Sequence, residues 1–448
     1  MNKMILQILM AAALVGQPLF AQHTLTLDES KQLALRNNCA VQNSRLQMRA
    51  ARQTQKAAFT KFFPSISASG AMFDAQEKLM EISTRGGNLP VYDGNPMNLM
   101  HPVQFAYFPG MTMGMFGSGA FGAISIVQPV FAGGRILNGN KLASLGVQVS
   151  RYKNALSQNE VLLATEEQYW RILSLDEKMK TLQRYEALLS SLLNQVEDAY
   201  RSGIVMRNDI LKVKVKKSEI LLNQSKLENG RRLAVMAFCQ YIGIPYDSTL
   251  VLKDSLTIGG HPQFYFVDDA RAVENRPEYH LLLASVRAEK LQTRMRIGEY
   301  LPQAGIGASH LYMKIDEEND RGIDMVFGTA SIPISGWWEA AHTLKERSLS
   351  EQIAMNNLKD RTELLTLQIQ KARQDFSDAY KQVLLSEESL EQAEENLKAS
   401  RDSYNNGLCG ISDLLEAQAL QQQAKNQVTD ARAEYLVKRL NYLQATGR

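Results

Sequence analysis

The sequence predicts a mainly α-helical, internally duplicated protein that adds a small membrane β-barrel component of four strands per chain. Three observations predict it. A repeat holds one constant offset, two long segments keep a heptad without proline or glycine, and each copy sets a pair of period-two stretches between helices.

The repeat comes first because it fixes the rest. Tyr200-Arg201-Ser202-Gly203-Ile204 returns as Tyr404-Asn405-Asn406-Gly407-Leu408, an offset of 404 − 200 = 204. Asp209-Ile210-Leu211 returns as Asp413-Leu414-Leu415, Pro129 as Pro333, and Gln240 and Gly243 as Gln444 and Gly447, all at 204. One offset held this far means two copies with no net insertion between those landmarks. Upstream, Phe62-Phe63-Pro64 matches Tyr300-Leu301-Pro302 at 238, so the first copy carries 238 − 204 = 34 extra residues. The surplus falls in Asp74 to Gly117, rich in Gly, Pro and Met, and reads as an exposed loop on a surface. The expected organisation is a first repeat over 22–243, a linker over 244–267 and a second repeat over 268–448.

Each copy reads as a helical segment (about Asp28 to Phe62, then Asp268 to Glu299), two short strands around a loop, a very long helix, a tight turn at Gly203 or Gly407, and a last helix. In the second copy Leu365, Ala372, Ala379, Ser386, Ala393 and Ser400 recur every seven residues. Beside them run Ile369, Phe376, Val383, Leu390, Leu397 and Tyr404, so the spacing alternates four and three as a coiled-coil seam requires. The first copy repeats this with Val161, Leu175, Leu182, Leu189 and Val196 beside Ile172, Met179, Leu193 and Tyr200, although Gln168 and Glu186 interrupt it. No Pro or Gly lies between Val147 and Ser202 or between Trp337 and Asn406. Helices of that length would run roughly 85–105 Å.

The β-like stretches alternate at period two. Ile66, Ala68, Gly70 and Met72 interleave with Ser65, Ser67 and Ser69, and Ala304, Ile306 and Ala308 with Gln303, Gly305, Gly307 and Ser309. Ile124 and Ile126 flank Ser125 until Val127 breaks the pattern, and Thr329 and Ser331 alternate with Ala330 and Ile332. Four strands cannot close a barrel, so such a chain must oligomerise to remove its edges.

The N-terminus reads as a targeting segment over residues 1–21. Lys3 precedes an apolar run from Ile5 to Val15, and Ala21 offers a small residue for cleavage before Gln22. The run is short for a membrane span, and no Cys follows the cleavage point to carry a lipid. Downstream no stretch reaches the ~18 apolar residues a spanning helix needs; Met97 to Phe116 is interrupted by Pro102, Pro109, Gly110 and Gly114. An exported chain without spanning helices is periplasmic, secreted or inserted through strands.

Composition excludes several function classes. The 448 residues carry 50 Lys+Arg against 47 Asp+Glu, a net charge of +3, which leaves no electrostatic footprint for nucleic acid. Cys39, Cys239 and Cys409 form no disulfide ladder or metal spacing; Cys39 and Cys239 read as buried thiols, with a disulfide between them as the alternative. The six His residues make no metal-ligand pair, and no nucleophile triad or phosphate loop appears. Met97, Met100, Met111, Met113 and Met115 crowd the surplus loop; thioethers suit Cu(I), but Met also fills irregular apolar surface, and no metal or cofactor is assigned. The chain has no residues that support an enzyme.

Over essentially the whole mature chain, these features resemble the TolC-like outer-membrane efflux family. The duplicated Tyr-x-x-Gly turn with Asp six residues after the Gly (Gly203/Asp209, Gly407/Asp413) carries the resemblance, with Gln128-Pro129-Val130-Phe131-Ala132-Gly133-Gly134 and the Phe-Phe-Pro and Tyr-Leu-Pro junctions. The resemblance implies a homotrimer with a shared twelve-stranded barrel in outer-membrane lipid and a trimeric α-helical barrel extending into the periplasm. It implies a passive exit duct of a tripartite efflux or secretion system, docked by a periplasmic adaptor and an inner-membrane pump. The alternative function is a periplasmic coiled-coil adaptor or scaffold without a barrel. That alternative explains the heptads but not the paired strands.

The resemblance also assigns site residues. Gly203, Ile204, Gly407 and Leu408 become the periplasmic tips where the adaptor docks. Asp413 and Glu416, at i and i+3 on one helix face, line the pore constriction with Asp209, while Lys212 stands where a second Glu would be. A purely local role is the competing expectation: Asp413 as an N-cap with Glu416 as its capping-box partner. Cys409 replaces the Arg that braces the closed gate in family members. Phe62, Phe63, Tyr300, Trp337 and Trp338 are expected at the membrane interface, or else packed between helix and strand layers.

Overall fold

The computed structural model describes residues 24–77, 80–91, 105–115, 118–315 and 319–448. The targeting segment 1–21, Met97 and Met100 lie outside the described residues. In chain order the elements are β1 (Thr24–Leu25), α1 (Leu27–Asn37), α2 (Cys39–Phe59), a 3-10 turn (Thr60–Phe62), β2 (Ser65–Asp74), β3 (Met80–Thr84), β4 (Gly87–Pro90), β5 (Phe105–Phe108), β6 (Met111–Met115) and β7 (Ser118–Ala132). There follow α3 (Arg135–Arg201), α4 (Arg207–Ile242), β8 (Val251–Leu252), a 3-10 turn (Pro262–Tyr265), α5 (Asp269–Asn275), α6 (Pro277–Glu299), β9 (Gln303–Ile315), β10 (Asn319–Ser331), α7 (Gly336–Asn405) and α8 (Ile411–Ala445). The long helices α3 and α7 run unbroken for 67 and 70 residues.

The chain divides into two compact units. One holds the described residues up to Arg52 with Leu145–Arg287 and Gln352–Arg448; the other holds Gln53–Ser144 and Ala288–Glu351. Each repeat contributes to both.

The first unit is helical, and the heptad residues form its core. Ile369, Phe376, Ala379 and Val383 of α7 are buried together with Val161, Tyr169, Trp170 and Ile172 of α3, Phe238 and Ile242 of α4, and Tyr435 and Tyr442 of α8. Helix entry is set locally. Thr26 caps α1, its hydroxyl accepting from Glu29 N at 3.3 Å, while the Glu29 carboxylate accepts from Thr26 N at 2.8 Å. That backbone hydrogen bond, then the one from the Thr26 hydroxyl, holds the Glu29 carboxyl below its usual range. The first helical segment of each copy is broken once, at Asn38 and at Arg276, where the backbone turns extended.

Those breaks form a duplicated clamp. Gly243, which caps α4 at φ +74°, lies against Asn37, whose Nδ2 donates to Gly243 O at 3.2 Å. Gly447, also at φ +74°, lies against Asn275. The two Asn and the two Gly differ by 275 − 37 = 238 and 447 − 243 = 204, the same offsets as the sequence landmarks. A Cβ at either glycine would be strained and would press on the Asn, at 2.5 Å for Asn37 and 3.0 Å for Asn275.

The segment between the copies belongs to the core of this unit. Val251–Leu252 pairs in parallel with Thr24–Leu25, and Leu250, Leu252 and Leu256 are buried. The Tyr169 hydroxyl donates to Asp254 Oδ2 at 2.5 Å, and the same carboxylate oxygen accepts from Leu27 N at 2.8 Å. Burial, then the Asp254 hydrogen bond, pushes the Tyr169 phenol far above its usual range. Tyr169→Phe should therefore cost about 1–3 kcal/mol, because Asp254 stays half-buried with one donor lost. Chemical denaturation of the purified protein measures this.

The second unit is built on an antiparallel sheet in the order β10-β9-β7-β2. Its register brings the period-two faces together. Ile66, Ile126, Ala308 and Val326 lie directly opposite one another in one row, with Ala68 and Ile124 in the next, while Ser67, Ser125 and Ser309 share the other face. Ile66 and Val326 are 71% and 86% exposed. Towards the β9–β10 hairpin the polarity inverts: His310 and Asp324 meet at 2.7 Å on the Ile face, and Phe121, Leu311 and Ile323 join the Ser face. The alternation read in the sequence thus covers only the part of each strand nearer the helices.

Two expectations are corrected. The surplus over 74–117 is not a structureless loop, since β3 pairs with β6 and β4 with β5 in two antiparallel ladders. Alternating side chains such as Ile82, Met111 and Met113 give that ribbon its strand character. Cys39 is not a buried thiol: it opens α2 on an exposed position, and only Cys239 is buried, both being free. Asn38, whose Oδ1 accepts from Ala40 N at 2.8 Å, sets that helix start and turns Cys39 outward.

Candidate functional site

The α3–α4 and α7–α8 turns are built alike. Arg201 ends α3, Gly203 takes φ +76°, and the amides of Gly203 and Ile204 return to Tyr200 O and Ala199 O, both at 2.9 Å. In the second copy Gly407 takes φ +71°, and Gly407 and Leu408 return to Tyr404 O at 3.0 Å and Ser403 O at 2.8 Å. This is the left-handed helix stop that favours glycine. A Cβ at either glycine would meet nothing within 4 Å, so the dihedral alone sets the requirement. Beneath the turns Val196, Ile210, Val213, Ile411, Leu414 and Leu415 pack into a separate core with Tyr404 at its edge. Above it Ile204, Met206 and Leu408 are 76%, 76% and 79% exposed.

The acidic residues sit where the next helices begin. Helix α8 starts at Ile411 with Gly410 as its N-cap, and Asp413 Oδ2 accepts from Gly410 N at 3.1 Å. Asp209 does the same for Met206 N at 3.3 Å. The expected capping role is thereby corrected: Asp413 is the third helical residue and reaches back, rather than being the cap, and Glu416 is not its partner. Glycine and methionine carry no hydroxyl or carboxylate to complete the box. Asp413 and Glu416 are both exposed on α8.

A link between the turns was not read from the sequence. Lys212 Nζ donates to Ser412 Oγ at 2.9 Å and lies 3.5 Å from Asp209 Oδ1, so it bridges α4 to the residue beside Asp413. Asp209 and the second turn are thus brought together through a lysine. Burial, then the charge of Asp209, raises the Tyr404 phenol. Cys409 packs back on its own helix end, with its Sγ 3.5 Å from Ser400 O. The 204 offset pairs Lys212 with the position of Glu416, but it does not show that Lys212 reaches Ser412.

The aromatic candidates flank the starts of β2 and β9 and the end of β10. Phe62, Phe63, Trp337 and Trp338 are 40%, 54%, 50% and 82% exposed, and Tyr300 is half-buried, its carbonyl accepting from Trp337 Nε1 at 2.8 Å. Phe59, which sequence reading missed, stands 55% exposed and edge-on to Phe62 and Phe63 at 5.7 and 5.5 Å. Its i, i+3 and i, i+4 spacing was the available signal.

Among the described residues no group of three or more His, Cys, Asp or Glu could hold a metal. No helix among them is long and apolar enough to cross a membrane.

No family model matches the chain, and no curated protein matches it in sequence. Solved structures do. The Campylobacter jejuni CmeC outer membrane channel aligns at TM-score 0.74 and 14% identity, over 94% of this chain and 85% of that one. The Vibrio cholerae outer membrane protein VceC aligns at 0.72 and 12%, over 94% and 96%. The open-state Neisseria gonorrhoeae MtrE outer membrane channel aligns at 0.70 and 13%, over 94% and 88%. At such identity the likeness speaks for architecture, and it extends over almost the whole chain. The chain has the TolC-like outer-membrane channel fold.

Proposed function

We propose that this chain is one protomer of a homotrimeric exit duct that spans the outer membrane, extends into the periplasm and passively exports small molecules or proteins in a tripartite system. The observation that carries the reading is the four-stranded sheet, which ends on β2 and β10 and sets a row of exposed apolar residues on one face. Unpaired edges are untenable in lipid, and a second and third copy would satisfy them in a twelve-stranded barrel. A scaffold without a barrel leaves that sheet unexplained.

In this reading Gly203, Ile204, Gly407 and Leu408 meet a periplasmic adaptor, which joins the duct to an inner-membrane pump. The exposed Ile204, Met206 and Leu408 supply apolar contact area, and the glycines hold the turns that present them. Asp413 and Glu416, with Asp209 nearby, ring the periplasmic constriction. Phe62, Phe63, Tyr300, Trp337 and Trp338 form the aromatic girdle at the inner membrane–water boundary of the barrel. The β3–β6 ribbon stands on the cell surface.

One experiment tests the placement. Asn88, exposed on β4, is replaced by Cys and intact cells are treated with an impermeant maleimide before sarkosyl fractionation of their envelopes. The expected result is a labelled protein in the sarkosyl-insoluble fraction. A protein that is sarkosyl-soluble, or labelled only after lysis, contradicts the reading.

A further inference from the structure

The base of the sheet carries a groove of about 640 Å³ between α2 and the start of α3, lined by Gln55, Lys56, Phe59, Phe62, Leu137 and Lys141 among others. Its floor is held locally, since Asn140 Nδ2 donates to Ala58 O at 2.9 Å and to Ile136 O at 3.0 Å. Phe59 and Leu137 are more than half exposed there, an apolar lining that nothing among the described residues covers.

The charge around this groove is one-sided. Between Ser30 and Phe73, and between Ser118 and Asn159, the sequence contains no Asp or Glu, although the whole chain is nearly neutral at +3. Within the sheet-bearing unit those stretches place Lys56, Lys61, Arg135 and Lys141 around the groove and the adjoining strand starts. Lys56, Lys61 and Lys141 make no ion pair among the described residues. The second copy keeps cations at the equivalent positions, Arg294 (56 + 238) and Lys345 (141 + 204), but acids intersperse its segments: Glu289 pairs with Arg347, Glu299 and Glu339 pair with Arg296, and Glu346 neighbours Lys345 in sequence. What sets the first repeat apart is that its cations stand without acids around them.

Lysines beside exposed aromatic and aliphatic side chains match an amphiphile with an anionic head. Lys56 and Lys141 lie on helices roughly 13 Å, at helical rise, from the start of β2 and the end of β7. Headgroups add ~5–8 Å to each side of the hydrocarbon layer, and a lysine stem reaches several ångströms further towards it. We infer that this groove binds an anionic phospholipid of the inner leaflet of the outer membrane, with Lys56 and Lys141 on the headgroup phosphate and an acyl chain along Phe59, Phe62 and Leu137. The inference rests on the outer-membrane reading above. It gives each protomer of a trimer one lipid site, at the groove of the first repeat only.

Native mass spectrometry of the full-length protein, reconstituted in bilayers of phosphatidylethanolamine with either phosphatidylglycerol or phosphatidylcholine as minor component, tests this. The expected result is retention of phosphatidylglycerol, up to three per trimer, over phosphatidylcholine. Lys56→Gln with Lys141→Gln should reduce that retention at least fivefold, and Lys56→Arg with Lys141→Arg should keep it. Lys359→Gln with Lys371→Gln, both exposed on α7 in the helical unit, serves as the charge-matched control and should leave retention unchanged. Equal retention of both lipids by an inserted trimer overturns the inference while the duct reading stands. Equal loss in the control variant reduces it to bulk charge and overturns it too. A protein that never inserts into bilayers removes both.

Discussion

Replacing Asp413 and Glu416 together by alanine should leave the trimer folded and remove most of its cation preference. Both carboxylates are exposed on one face at the start of α8, directly after the Gly407 turn. Threefold symmetry would gather six of them about one axis. Two unit charges 4 Å apart interact by about 4 kcal/mol at an effective dielectric of ~20, and a tenfold change in binding needs only ~1.4 kcal/mol. Block by a trivalent cation should therefore weaken by about tenfold or more in single-channel recordings. The structural loss is limited to the acceptor for Gly410 N, about 0.5–1 kcal/mol. Lys212→Gln should move selectivity the other way, since it removes a cation from beside Asp209 and Ser412. Unchanged block and selectivity in the double variant would confine Asp413 to its hydrogen bond and place Glu416 away from the pore.

The largest effect on folding is expected at Gly298. Its backbone lies against Gly133, at the turn that leads from β7 into α3, and a Cβ on Gly298 would fall well inside contact with the Gly133 carbonyl. The obstructing atom is main chain, so no rotamer change relieves it. Gly133 also sits at φ +61°, which restricts what can move there. Gly298→Ala should cost about 3 kcal/mol and sharply reduce the yield of assembled protein. Gly146→Ala is the matched comparison, because a Cβ there meets nothing within 4 Å. Equal yields from the two variants would show that the close approach at Gly133 is relaxed in the assembled protein.

Much of this architecture is legible in the sequence because repetition multiplies weak signals. A single Tyr-x-x-Gly turn is ambiguous, but its recurrence at 204 fixes the order of elements in both copies, and the heptad residues Ile369, Phe376 and Val383 are fully buried. Strand pairing was legible only where apolar and small polar residues alternate, as at Ile66 and Ser67; it failed in the β3–β6 ribbon, where Gly and Pro suggest a loop and only pairing reveals a ladder. The tight turns expected at Gly203 and Gly407 are present, and a local cause, their positive φ, accounts for the glycines. The Lys212–Ser412 link was not, because it joins residues 200 positions apart through long-range packing that no local rule encodes.

In the proposed duct the open edges of β2 and β10 are closed by two further copies of the same chain. Multi-angle light scattering of the full-length protein in mild detergent, corrected for bound detergent, tests it most directly. The expected species is a trimer of three chains, each of 50.2 kDa or of that mass less residues 1–21 if these are cleaved, that persists on dilution. A stable monomer with a folded sheet would contradict it.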